Sequence, residues 1–451
     1  METIRPKRTR RVVLVPYPYQ GHMTPMLQLG SILHSKGFSI IIAHTKFNSP
    51  NPSNYPEFTF LPLSDNMEGF DTSLWNMLNV ISTINTQCEA SFHDYMVQLI
   101  DEEEVLGEVA CIIYDSIMHF VDVVATHLKI PTMVLRTNTA AYMHSHITFF
   151  QLLEDKAIPL SSESRLQDIV PKLHPLRFKD LPLPATSETP QNILDFLHSY
   201  MDIRSSSAII WNTIDILDHS KLHQLKQHWK VPFFPIGPFH KMSPPKSTSL
   251  MKEDTSCLSW LDKQAPDSVI YVSLGSLAII DQKELDEMAW GLAKSEQPFL
   301  WVVRPSLLNG SDQANEFLPK DFVKVTKGRG CIVSWAPQKK VLEHTSVGGF
   351  LSHCGWNSTL ESICEGVPMI CRPCFSDQMV TARYLSHVWR VGIELEGCIE
   401  EAVRKVMVGE EGKEMRQRAV NMKRELEDSV KGGGSSHESL EGLVEFIDLI
   451  E

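Results

Sequence analysis

The chain has 451 residues, 43% hydrophobic and 22% charged, with a formal net charge of -13. That length suits two domains of roughly 200 residues rather than one core. An acidic chain is a poor partner for nucleic acid, because phosphate contacts need clustered Lys and Arg. The one basic run, Lys7-Arg8-Thr9-Arg10-Arg11, reads as a solvated tail.

The first β-type run is Arg11 to Val15, too short for a signal peptide. A loop carrying Pro16, Pro18, Gly21 and His22 follows. Pro25 to Ser35 then reads as an amphipathic helix, with Met26, Leu29 and Leu33 at helical spacing. Gly37 closes that helix and Phe38 to His44 reads as a second strand, giving the β-loop-α-β start of a doubly wound parallel sheet. Further strands are expected at Ala110 to Tyr114, Thr132 to Leu135 and Ala208 to Trp211. The pattern restarts at Ser268 to Leu274, with a Gly275-Ser276 turn, a helix over Gln282 to Ser295, and strands at Phe299 to Val303, Gly330 to Ser334 and Gly348 to Leu351.

This periodicity predicts two Rossmann-like α/β halves. Residues 1–240 form the first domain, 241–251 a Pro- and Ser-rich linker, and 252–431 the second domain. Residues 432–451 form an amphipathic helix expected to fold back on the first domain. No stretch reaches 18 apolar residues, so no membrane span is expected. Nine Cys without a signal sequence point to reduced thiols and a cytoplasmic location. Cys371-Arg-Pro-Cys374 has C-x-x-C spacing, but no second pair or thioredoxin-like context that a metal or redox role would need is visible.

Ligands of doubly wound sheets sit beyond the carboxyl ends of the strands, so the residues there are the informative ones. His22 and Asp115 both fall at such ends. A neutral imidazole accepts a proton, and a carboxylate beside it fixes the tautomer and stabilises the cation. From spacing alone, a surface or capping role for each is the commoner one. In the second half, Ser352-His-Cys-Gly-Trp-Asn-Ser358 joins a strand to a helix. Gly355 permits a tight turn, Asn357 or Ser358 could cap the helix, and the helix N-terminus favours an anion. Glu361 lies on the same helix face as Asn357, placed to accept from ribose hydroxyls. No G-x-G-x-x-G follows the first strand, no P-loop motif occurs, and no Asp-x-Asp pair is present for a metal.

The segment from Trp335 to Gln378 closely resembles the signature box of plant secondary-product UDP-glycosyltransferases. It has the Trp-Ala-Pro-Gln opening, the His-Cys-Gly-Trp-Asn-Ser-Thr-Leu-Glu centre and the Asp-Gln close. The likeness extends over essentially the whole chain, through Gln20-Gly-His22, Ser273-Leu-Gly-Ser276, Trp260-Leu-Asp262 and the Gly-Gly-Ser-Ser near the C-terminus. Details such as His174 to Pro182 and Ser376-Asp-Gln-Met are similar to the subgroup holding the steviol-glycoside, cytokinin and flavonol glucosyltransferases.

The resemblance implies an inverting, metal-independent GT-B enzyme, its two Rossmann-like domains facing each other across a cleft. UDP-glucose is then a co-substrate and no cofactor is needed. It implies that His22 is the general base and Asp115 its partner. Trp335 stacks on uracil, with the Ala336 backbone reading its edge, and Gln338 and Glu361 bind ribose. Ser276, His353, Asn357 and Ser358 hold the diphosphate, while Trp356, Asp377 and Gln378 hold the sugar. Thr137 touches sugar or phosphate. The closing Gln378, rather than His, favours glucose over galactose. Apolar loops at Ile117-Met118, Ala141 to His146 and Phe196-Leu197 suit a small hydrophobic acceptor such as a flavonoid, terpenoid or hormone. A monomer is expected. The alternatives are a GT-B-fold sugar-nucleotide epimerase and a non-catalytic ligand-binding homologue.

Overall fold

The computed structural model describes residues 10–72, 76–155, 165–181, 191–203, 205–308 and 317–450. Lys7, Arg8 and Thr9 of the basic run, and Pro182 of the His174 motif, lie outside the described residues. By internal contacts the chain divides into two units. The first comprises Met1–His144, Thr189–Leu250 and Ser429–Glu451; the second comprises Ser145–Glu188 and Met251–Asp428. The run 1–240 expected as one domain thus contains a segment, 145–188, that clusters with the second unit.

The first unit is built on a parallel sheet of seven strands. They are β1 (Arg11–Val15), β2 (Ser39–Thr45), β3 (Thr59–Leu63), β4 (Val109–Asp115), β5 (Thr132–Arg136), β6 (Ala208–Trp211) and β7 (Phe233–Pro235), in the order β3-β2-β1-β4-β5-β6-β7. β1, β4 and β5 are buried along their whole length, which is why they read as unbroken apolar runs. Its principal helices are α1 (Gln20–Ser35), α2 (Met77–Asp101), α3 (Phe120–Leu128), α4 (Ala140–Glu154, which crosses into the second unit) and α5 (Gln191–Met201). The order runs outward from β1 to β3 and then restarts on the other side of β1 with β4. The switch point of the sheet is therefore between β1 and β4, where such folds open a crevice.

The second unit repeats the plan with β8 (Val269–Ser273), β9 (Phe299–Val302), β10 (Gly330–Val333), β11 (Val347–Ser352), β12 (Met369–Cys371) and β13 (Gly392–Glu394), ordered β10-β9-β8-β11-β12-β13. Its switch point is between β8 and β11. The helices that matter here are α6 (Gln282–Ser295), α7 (Trp356–Glu365), α8 (Gln378–Arg383) and α9 (Ile399–Met407).

Several boundaries differ from the sequence expectation. β3, β7, β12 and β13 have three to five residues each, too few to show a period against their flanks. α1 starts five residues before Pro25, because the amides of His22 and Met23 already donate to the Tyr19 carbonyl (2.9 and 2.8 Å). His22 therefore lies in the first turn of α1 and not in a loop. α7 starts at Trp356, with Gly355 at the capping position and no side-chain cap. Asn357 and Ser358 are in its first turn and do not cap it. The left-handed residue of that turn is Cys354 (φ 64), not Gly355. Gln378, expected in a loop, is the first residue of α8, and Asp377 stands at its capping position.

The expected linker is tied down through Leu250. Gln20 donates to the Thr248 carbonyl (3.0 Å) and accepts from the Leu250 amide (2.7 Å), and Lys246 pairs with Glu57. The last helix, α10 (Ser435–Leu449), seals the first unit. Leu440, Leu443 and Ile447 belong to the same core as Val12, Leu14 and Ile113. Ser436 Oγ donates to the Gly237 carbonyl (2.6 Å), and Arg10 donates to the carbonyls of Ile447 and Ile450. Leu443 is fully buried. Leu443→Ala is expected to cost about 2–5 kcal/mol through lost transfer energy and a residual cavity. Urea unfolding of the full chain checks this.

Candidate active site

In the first unit the β1/β4 switch point brings His22 and Asp115 together. Asp115 is the last residue of β4 and is 1% exposed. Its Oδ2 is 2.6 Å from His22 Nδ1, and its Oδ1 accepts the Ile117 amide (3.1 Å), which closes the turn after the strand. A carboxylate at Nδ1 makes that nitrogen the protonated one and leaves the lone pair on Nε2. Thr137, just past β5 and expected at the donor, has its Oγ1 3.3 Å from the same Nδ1. Tyr17 packs edge-on to the imidazole, with centroids 5.3 Å apart and planes at 86°.

The turn after Asp115 is itself braced. The buried Asn85 of α2 donates to the Ile117 carbonyl (2.9 Å) and accepts from the Phe120 amide (3.0 Å). Sequence reading missed Asn85, since an Asn in the middle of a helix pattern gives no local signal of a distant backbone partner. Beside this turn lies a cavity of about 1220 Å³ lined by Leu78, Ile81, Ser116, Ile117, Phe196 and Tyr200, among others. Of the loops expected to line an acceptor pocket, Ile117 and Phe196 line this cavity. Met118, Leu197 and the Ala141 to His146 stretch do not line this cavity.

In the second unit the β8/β11 switch point brings the Gly275-Ser276 turn against His353. The imidazole of His353 lies between two glycines: a Cβ on Gly275 would sit 2.6 Å from ring atoms, and one on Gly355 2.5 Å. Gly275 also has φ +72, so both its conformation and its clearance require glycine. Burial, aided by the positive charge of Arg304, pushes the His353 pKa down to about 4. The ring is neutral at physiological pH and offers one N–H rather than a charge. Asn357 and Ser358 stand one and two residues behind the first residue of α7, where backbone amides lack helical acceptors.

Gln338 joins two of the other predicted residues. Its Nε2 donates to Ser358 Oγ (2.9 Å) and to Glu361 Oε2 (2.7 Å), and its Oε1 accepts from Tyr271 Oη (3.2 Å). Tyr271 was not singled out from sequence, because it sits inside a strand that reads only as core. Trp335 is half-buried just past β10, its carbonyl holding the Asp254 amide (2.9 Å), and Ala336 is buried beside it. The Trp356 side chain is 3% exposed and packs on Trp389, with centroids 6.2 Å apart. Its indole is a core element, so what this position offers a ligand is its backbone at the start of α7. Gln378 is buried, and its Oε1 accepts from the amides of Cys374 (2.8 Å) and Phe375 (3.2 Å). That leaves its NH₂ as the group with hydrogen-bonding capacity for a sugar hydroxyl. Ser376, before the Asp377-Gln378 pair, is held at φ 57. None of the nine cysteines is in a disulfide.

Residues 58–415 match the family described as UDP-glucoronosyl and UDP-glucosyl transferase. The chain is 54% identical to UDP-glycosyltransferase 76E1 of Solanum lycopersicum, covering 98% of this chain and 94% of that one. It is 44% identical to flavonol 3-O-glucosyltransferase UGT76E12 of Arabidopsis thaliana, with 97% of each chain covered. Among solved structures, Phytolacca americana UGT2 complexed with UDP-2fluoro-glucose and pterostilbene superposes with a TM-score of 0.82 at 28% identity, covering 97% of this chain and 99% of that one. With paired switch-point sites in its two units, a family match over most of its length and full-length relatives, the chain belongs to the UDP-glucoronosyl and UDP-glucosyl transferase family, UDP-dependent hexosyltransferases of the GT-B fold.

Proposed function

We propose that the chain transfers glucose from UDP-glucose, with inversion, to a hydroxyl of a small hydrophobic plant metabolite. The observation that carries this reading is the 2.6 Å contact between Asp115 and His22 Nδ1 at the first switch point, which prepares Nε2 as a base. An acceptor O–H placed against Nε2 gives up its proton as the oxygen attacks the anomeric carbon. The bond from that carbon to the β-phosphate oxygen breaks, and UDP leaves with the electron pair. Asp115 stabilises the imidazolium, and the product is a β-glucoside. A non-catalytic homologue would not need this dyad.

For the donor, Trp335 stacks on uracil, Ala336 reads its edge, and Gln338 and Glu361 take the ribose. Ser276, His353, Asn357 and Ser358 take the diphosphate at the start of α7, where the helix dipole favours an anion. Asp377, Gln378 and the Trp356 backbone take the sugar hydroxyls. Thr137 steadies His22 through Nδ1 on the acceptor side. Neutral donors and a helix terminus suit metal-independent departure of UDP. Among the described residues, no group of three or more His, Cys, Asp or Glu is arranged to hold a metal ion.

The acceptor enters the cavity beside Ser116 and Ile117, whose lining by Leu78, Ile81 and Phe196 favours an aromatic or terpenoid body over a sugar. The Arabidopsis relative named for flavonol 3-O-glucosylation makes flavonols the first acceptors to test. We further propose a monomeric cytoplasmic enzyme; no helix among the described residues is long and apolar enough to cross a membrane.

A panel of phenolics, terpenoids and hormones incubated with UDP-glucose, UDP-galactose or UDP-rhamnose is expected to gain the mass of one hexose with UDP-glucose. Loss of UDP-glucose turnover on every acceptor would sink the assignment. His22→Ala is expected to lower kcat by at least about a hundredfold, in line with general-base catalysis, with UDP binding retained. Near-normal turnover on a weakly acidic alcohol would overturn the base. Activity is expected to survive EDTA; complete loss restored by Mn²⁺ would overturn the metal-free route.

A further inference from the structure

Arg304 follows β9 and is 2% exposed, yet it plays no part in the chemistry above. All its hydrogen bonds go to neutral acceptors: Nε to the Gly275 carbonyl (2.9 Å), Nη2 to the Ala278 carbonyl, and Nη1 to Ser306 Oγ (2.9 Å). Two of these lie on the turn that carries Ser276 and that closes over His353. Among the described residues, no carboxylate forms an ion pair with it.

Buried arginines elsewhere in the molecule differ in what they face: Arg11 donates to the Leu99 carbonyl without an ion pair among the described residues, whereas others have charged or aromatic partners. Arg177 and Arg383 share Asp180 and Glu394. Arg136 caps the carbonyls of Tyr200 and Met201 at the end of α5 and lies over the rings of Tyr200 and Trp229. Arg372, the other cation whose charge reaches His353, pairs with Glu284. A buried guanidinium without an anion costs free energy unless a ligand supplies one. Burial lowers the Arg304 pKa only to about 10, so the group remains cationic at neutral pH.

We infer that Arg304 is a positioning residue of the donor site: it braces the Gly275–Ala278 turn from behind and supplies the positive field that a nucleotide diphosphate needs there. The inference rests on the diphosphate lying at this turn and at the start of α7. The field acts in a low-dielectric surrounding, where a fixed charge is felt more strongly than in water. It stabilises the departing UDP more than bound UDP-glucose, because cleavage leaves one more negative charge on the diphosphate. Sequence reading passed over Arg304 because a lone Arg after a strand looks like an ordinary surface residue.

The test measures the affinities of UDP and of uridine for the wild type, Arg304→Gln, Arg304→Lys and Ser306→Asp, together with KM for UDP-glucose and kcat. Ser306 is exposed, so its substitution leaves the fold intact while giving the guanidinium an internal anion. In Arg304→Gln the ratio of UDP to uridine affinity is expected to fall by at least about tenfold, with kcat falling as well, as expected for loss of a preorganised charge. Arg304→Lys is expected to keep that ratio within about threefold, and Ser306→Asp to lower it by about threefold or more, since both act on charge alone. A ratio unchanged in Arg304→Gln and Ser306→Asp, or UDP and uridine weakening together, would overturn the inference as a merely structural effect. If Arg304→Gln shows no cooperative unfolding transition, Ser306→Asp decides alone. Wild-type protein binding UDP no tighter than uridine would instead remove the diphosphate assignment on which the inference rests.

Discussion

An imidazole is useful as a base only if one nitrogen is held so that the other keeps its lone pair in a fixed direction. Here the hold is a carboxylate at the end of β4, 2.6 Å from Nδ1 of a histidine in the first turn of α1. Much of the first unit serves that distance. β1 and β4 are neighbours in register, Leu14 beside Ile113 and Val15 beside Tyr114, so their carboxyl ends emerge side by side. The Ile117 amide satisfies the second carboxylate oxygen, and Asn85 fixes the turn that supplies it. The geometry comes from strand order first and from individual side chains second.

The second unit applies the same topology to an opposite electrostatic task. Its switch point offers donors in place of a base: a neutral imidazole lodged between Gly275 and Gly355, the first turn of α7, and hydroxyl and amide groups already linked through Gln338. These groups are hydrogen-bonded to each other or held by close packing before any ligand arrives. Preorganisation of this kind spares the reaction the work of reorienting dipoles as charge develops.

Much of this was legible in the sequence, for a physical reason. Strands buried on both faces must be apolar throughout, so β1, β4, β8 and β9 stand out, and the residues that follow them fall automatically at the ligand end of the sheet. The signature between Trp335 and Gln378 carried the donor side. Contacts between residues far apart in the chain were not legible. Tyr271 on Gln338, Asn85 on Ile117 and Trp356 on Trp389 depend on tertiary placement, and nothing local to those residues announces it. The starts of α1 and α7 were misplaced because Pro25 and Ser358 look like helix openings, whereas the first helical hydrogen bonds form earlier, at Tyr19 and Gly355.

The closing helix α10 has a consequence for how such a chain is made. Leu440, Leu443 and Ile447 complete an apolar core whose other members begin at Val12. During synthesis, the core of the sheet bearing His22 lacks these three side chains until the whole second unit has been translated, with α1 already available to cover the rest. The second unit ends at Asp428, before α10 begins. Removing α10 would therefore take Leu440, Leu443 and Ile447 out of the core of the sheet that carries His22, while every strand of the second unit would remain.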